Sequence, residues 1–78
     1  MNDNDILFKI EKNGLNVVFF RTPAFKMVGV EIKGHNAFIQ GIDLLDAVEC
    51  IKTGNKAFID NMWTCDGFVT LLKEFGLI

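Results

Sequence analysis

The residues that could do chemistry are few and lie far apart in the chain. His35 is the single histidine, the chain contains no serine, and the cysteines Cys50 and Cys65 are fifteen residues apart. Nucleophilic catalysis needs a base beside the nucleophile, and a structural zinc site needs about four ligands at paired spacing. The sequence shows neither pattern and no glycine-rich phosphate loop. We therefore expect no enzyme, no metal and no cofactor, and we interpret His35 as an exposed turn residue.

Three carboxylates recur every three residues, at Asp43, Asp46 and Glu49. On a helix this spacing places them along one edge, where they could form a negative stripe for a basic partner. Acidic residues in a first turn also favour the helix dipole. The pattern is therefore also typical of an ordinary solvated helix, and this is the stronger interpretation.

Composition narrows the class of partner. The net charge of -2 argues against nucleic acid and anionic membranes, which are bound through an excess of Lys and Arg. No segment approaches the roughly 18 apolar residues of a membrane span, and the first residues lack the features of a signal peptide. We expect a cytoplasmic protein with reduced thiols and a single compact domain over residues 1–78.

The hydrophobic spacing changes near residue 41. Residues 6–40 alternate with a period near two, and residues 42–75 have a period near three and a half. These periods indicate strands and helices respectively. The sequence predicts an α+β fold, in which a three- or four-stranded, mainly antiparallel sheet from about residues 6–40 is followed by two or three helices packed on one face.

The first hairpin can be assigned a register. Asn13-Gly14 is typical of a two-residue type I′ turn, and it predicts that Phe8 lies opposite Phe19 and Leu7 opposite Phe20. One face of the hairpin is then apolar and is expected to face the core. That face consists of Ile6, Phe8, Ile10, Val17 and Phe19.

Two further strands are predicted, over residues 26–33 and 37–40. Gly29 in the middle of the third strand indicates a β-bulge or the close approach of a Phe from a neighbouring strand, and we prefer the bulge. A turn around Gly34-His35-Asn36 leads to the fourth strand. Alternation along that strand places Phe38 on the face away from the core.

The face of the sheet away from the helices carries more apolar side chains than a solvated surface should. We predict that it binds a protein partner. Its apolar residues are Leu7, Val18, Phe20, Met27 and Phe38, surrounded by Lys9, Glu11, Glu31 and Lys33.

The second half of the sequence predicts a helix that has Asp43 as N-cap, Ile42 as a hydrophobic staple and Gly54 at its C-terminal end.

The segment after this helix is less clearly assigned. Residues 56–63 suit either a short helix begun by Asn55 or a strand. A third helix is expected after Asp66. The terminal Leu77 and Ile78 either enter the core or contact a partner. The core-facing residues of the first and third helices are predicted to be Leu44, Leu45, Ala47, Val48, Ile51, Phe68, Leu71, Leu72 and Phe75.

These features favour a non-enzymatic protein–protein interaction module that forms a homodimer through the outer face of its sheet. A more specific version of this hypothesis is a small stoichiometric inhibitor of a larger macromolecule. One alternative is a small-molecule binding domain with a pocket between sheet and helices, although plain core is the simpler interpretation of the same residues. The other is a sheet-based nucleic-acid binder that stacks bases on Phe8, Phe19 and Phe20, which the net charge disfavours. The pocket would be lined by Phe58, Met62, Trp63 and Phe68.

Overall fold

A computed structural model of the chain describes residues 5–24, 26–60, 62 and 66–78. It shows a four-stranded antiparallel sheet followed by helices, which confirms the predicted α+β class. A short 3-10 turn, Gly41–Asp43, joins the two halves. The elements are β1 (Ile6–Lys12), β2 (Leu15–Arg21), β3 (Met27–Ile32), β4 (His35–Gln40), α1 (Leu44–Thr53), α2 (Ala57–Asp60) and α3 (Asp66–Glu74).

The sheet is a meander with strand order β1-β2-β3-β4. Its first turn has Asn13 at φ 54° and Gly14 at φ 76°, which are the positive values that a type I′ turn requires. The turn between β3 and β4 has the same form and centres on Lys33 and Gly34, one residue or more before the predicted position. The sum of two paired residue numbers differs from the predicted sum by an even amount, so every β4 side chain keeps its predicted face.

The core lies between one face of the sheet and the helices. Its buried cluster joins β2, β3 and β4 to α1 and α3, and the rings of Phe19 and Phe68 meet with centroids 6.4 Å apart. The side chains with no exposed surface that belong to this cluster include Val17, Phe19, Val30, Ile32, Ile39, Ala47, Cys50, Ile51, Phe68 and Leu72.

The register predicted for the start of β1 is wrong. Phe8 pairs with Phe19 as expected, but Ile6 pairs with Phe20, because a β-bulge gives β1 an extra residue at Leu7. Leu7 consequently packs against the core, whereas Ile6 shares the outer face with Phe20. Phe8 keeps its predicted partner but lies on an edge strand of the sheet, and it is 39% exposed, although the sequence predicts it in the core.

The start of α1 also differs from the prediction. Asp43 stands at the N-cap position but makes no side-chain capping bond, Ile42 is 77% exposed and Leu45 is 69% exposed. At about 100° per residue Leu45 lies about 160° around the helix from Ala47, whereas Leu44 lies within about 60° of it. Leu44 therefore packs against the core, and Leu45 faces away from it.

The remaining helices follow the predicted pattern. Residues 57–60 form a helical turn, and the backbone N–H of Ala57 donates to Oδ1 of Asn55 at 2.9 Å. At the end of α3, Gly76 has a φ of 70° and the N–H of Leu77 donates to the carbonyl of Leu72 at 2.8 Å. Leu77 is buried, so of the two predicted alternatives for the terminal residues the structure shows the core.

Within the described ranges no helix is long and apolar enough to cross a membrane.

Candidate interaction face

The outer face of the sheet, on the side opposite the helices, is organised in rows that cross the strands. The registers place Ile6, Phe20, Gly29 and Phe38 in one row, from β1 to β4. Paired residues of an antiparallel sheet project to the same side. The row therefore presents three apolar side chains with a glycine between two of them.

Gly29 accommodates the ring of Phe20. A β-carbon built at position 29 would overlap three atoms of that ring, and the two residues are direct cross-strand partners. The register between β2 and β3 shows no irregularity. Of the two explanations for a glycine in mid-strand, the close approach of a neighbouring Phe is therefore correct and the preferred β-bulge is wrong.

The structure brings four of the five predicted interface residues together. Val18, Phe20 and Met27 are half-buried on the outer face, and Phe38 is 53% exposed. Leu7 does not belong to this set because the β-bulge turns it to the core. Sequence reasoning missed Ile6, which takes its place, since a bulge in β1 has no clear signal in the sequence. Hereafter the outer-face cluster means Ile6, Val18, Phe20, Met27 and Phe38.

Charged side chains flank this cluster in a second row. Lys9 on β1 pairs with Val18 on β2, and Val18 pairs with Glu31 on β3. Lys9 and Glu31 therefore stand on either side of Val18 with opposite charge. Glu11 is exposed on β1 one level toward the first turn, and Lys33 is exposed in the turn between β3 and β4.

The predicted acidic stripe is not continuous on the surface. Asp43 is only 3% exposed, whereas Asp46 is half-buried and Glu49 is exposed. Asp43 is the last residue of the 3-10 turn and directly precedes α1. A basic partner could reach only part of the stripe, so this surface is a weaker candidate than the outer face.

His35 and Cys50, the described residues considered for chemistry, have different surroundings. His35 is exposed as the first residue of β4, and its ring lies 5.6 Å from that of Phe75 in an edge-on contact. Cys50 is a buried free cysteine, and burial raises the pKa of its thiol above the ordinary 9.0 while the charge of Lys12 opposes the rise. Cys65 lies outside the described residues. The described residues contain no group of three or more potential metal ligands.

Three of the four residues proposed to line a small-molecule pocket pack in or against the core. Met62 and Phe68 are buried in the core cluster, and Phe58 is half-buried against it. Trp63 lies outside the described residues. A cleft of about 430 Å³ occurs at another place, beside the end of β4, and it is lined by Lys26, Gln40, Gly41 and Ile42.

Comparison of the chain with protein families, with curated proteins and with solved structures gives no match.

Proposed function

We propose that this chain is a non-enzymatic interaction module that forms a homodimer through the outer face of its sheet. The observation that carries the proposal is the exposure of Phe38, 53%, in the same row as the Phe20 ring that covers Gly29. Burying a large aromatic side chain is favourable because its apolar surface is removed from water. A partner that covers this row would therefore be bound favourably.

The outer face is well suited to binding because it is preorganised. The Phe20 ring has its position set by the backbone of the neighbouring strand, so little side-chain entropy is lost when a partner covers it. The cross-strand pairs Val18–Glu31 and Phe20–Gly29 keep the surrounding positions in register. A regular sheet of this kind can pack against a second sheet with the strands nearly aligned.

The size of the face fits a reversible dimer. Four strands about 4.8 Å apart and about 20 Å long cover roughly 400 Å² in projection. Two such faces bury less than the roughly 1,600 Å² of a standard stable interface. We therefore expect a dissociation constant of about micromolar order or weaker, and a monomer–dimer equilibrium that depends on concentration.

Sedimentation equilibrium over a wide range of concentrations tests the proposal, with Phe38→Asp as the disrupting variant. Phe38 is preferable to Phe20 because the Phe20 ring also packs on its own sheet. The matched control is Leu45→Asp, since Leu45 is an apolar residue on α1 that is also exposed, at 69%. Circular dichroism checks that both variants fold.

We expect the unmodified chain and Leu45→Asp to dimerise with the same dissociation constant, and Phe38→Asp to weaken the dimer at least about tenfold, since it places a charge against an apolar contact. A chain that stays monomeric at about millimolar concentration would exclude the homodimer. A dimer that is lost in Leu45→Asp and kept in Phe38→Asp would place the interface on the helical side.

A further inference from the structure

The charges on the outer face are arranged so that they complement their own copy. We infer that the two chains of the dimer meet about a two-fold axis that runs along β2, and that Lys9 of each chain faces Glu31 of the other. This inference rests on the proposed homodimer and adds its geometry.

Charges of opposite sign stand on the two sides of β2. On β1, Lys9 is level with Val18. On β3, Glu31 is level with the same residue. At this level a positive residue on one side of β2 matches a negative residue on the other.

A two-fold axis parallel to β2 places β1 of one chain over β3 of the second chain and keeps each level unchanged. Lys9 then faces Glu31 of the second copy, and this contact occurs twice because the interface is isologous. Within one chain the Cα atoms of Lys9 and Glu31 are separated by two strand spacings, about 9.6 Å, and facing sheets pack at a similar distance of about 10 Å. The two side chains project side by side within one chain, whereas they point toward each other across the interface.

The apolar residues fit the same axis. Val18 and Phe20 lie on β2 and meet their own counterparts, while Ile6 lies over Gly29 of the second copy, where the Phe20 ring provides an apolar surface. Phe38 lies one strand spacing, about 4.8 Å, beyond β1 of the second copy and at the level of Ile6 there, so these two apolar side chains meet at the rim of the contact. An axis between β2 and β3 would instead put Glu31 against Val18, and burying an unpaired carboxylate is costly.

A charge exchange between chains tests this geometry. The variants are Lys9→Glu and Glu31→Lys, measured alone and as an equimolar mixture by sedimentation equilibrium. Each variant alone faces like charges at two places, so we expect its dissociation constant to rise about tenfold. In the mixture, Glu at position 9 faces Lys at position 31 and the unchanged Glu31 faces the unchanged Lys9. The mixed dimer should therefore regain the affinity of the unmodified chain.

Three results would overturn the inference. If the unmodified chain dimerises but neither single variant weakens it, or if both weaken it and the mixture does not recover, the dimer stands and the axis along β2 is wrong. If the unmodified chain does not dimerise at all, the proposed function fails together with the inference. Circular dichroism of each variant separates a loss of affinity from a loss of fold.

Discussion

The ring of Phe20 on β2 occupies the space above Gly29 on β3 that a side chain at position 29 would fill. A glycine in a strand interior ordinarily weakens the sheet, because it adds no side-chain contact and has a flexible backbone. A neighbouring aromatic ring can restore the missing contact. The same pairing keeps the Phe20 ring close to the backbone of β3. Phe20 therefore packs on its own sheet and also belongs to the candidate binding surface.

The first prediction concerns this contact. Gly29→Ala should lower the free energy of unfolding by about 1–3 kcal/mol, since the new methyl group overlaps the Phe20 ring and forces it to move. Urea unfolding followed by circular dichroism measures the change. Gly67→Ala is the matched control, because the nearest atom to an added β-carbon there is 4.0 Å away, in Ala37. In a helix this change should stabilise by about 0.5–1 kcal/mol. Equal stability of Gly29→Ala and the unmodified chain would show that the ring does not need the glycine.

The second prediction concerns the link between the sheet and α1. The ammonium group of Lys12 donates a hydrogen bond of 2.6 Å to the carbonyl of Ile51, in the last turn of the helix. A cation at this end also interacts favourably with the helix dipole. Lys12→Met should therefore cost about 1–2 kcal/mol of unfolding free energy, measured by the same urea titration.

Lys52 provides the control for this hydrogen bond. It carries the same charge in the last turn of α1 but is exposed. Lys52→Met should change stability by less than about 0.5 kcal/mol. Equal losses in the two variants would mean that charge alone, and not the bond from Lys12, stabilises the helix end.

The third prediction is a dependence of stability on alkaline pH. Burial raises the pKa of the Cys50 thiol above 9.0 in the folded chain, although the charge of Lys12 opposes the shift. The folded state then holds this proton more tightly than the unfolded state does. Its contribution to stability is complete below the unfolded pKa and is lost as the pH rises through the folded pKa. Unfolding free energies measured from pH 8 upward should therefore fall more steeply for the unmodified chain than for Cys50→Ala, and parallel curves would contradict the assignment.

The fourth prediction concerns the end of the described chain. Leu77 is buried at 2% exposure, and its N–H closes α3 by bonding to the carbonyl of Leu72. Leu77→Ala should cost about 2–3 kcal/mol in urea unfolding, as expected for a large-to-small change in a core. Lys73→Ala, on the exposed side of the same helix, should be close to neutral.

The alternation of residues 6–40 predicted most of the sheet correctly because side-chain direction has a period of two. Even the misplaced turn before β4 left Phe38 on its predicted face, since the pairing shifted by an even amount. The β-bulge at Leu7 shifts the pairing by a single residue, which exchanges Ile6 and Leu7 between the faces. No local pattern in residues 6–8 distinguishes the two outcomes.

The errors in the helical half have a different origin. The apolar character of Leu45 predicts a core position, whereas its angle around the helix places it opposite Ala47. Asp43 is buried as the last residue of the 3-10 turn before α1, and no sequence pattern predicts that turn. In the sheet, a glycine at position 29 is compatible with either a β-bulge or a close Phe20 ring, and the choice between them needs the register of two strands.

Intermolecular contacts in a mixture of isotopically labelled and unlabelled chains test the central claim most directly. In an isotope-filtered NMR experiment the proposed dimer predicts contacts from the methyl groups of Val18 to Val18 and to the Phe20 ring of the second copy. Core residues such as Val30 and Ile32, which have no exposed surface, should show none. Intermolecular contacts confined to Ile42 and Leu45, with none at Val18 or Phe20, would contradict the claim that the outer face of the sheet joins the two chains.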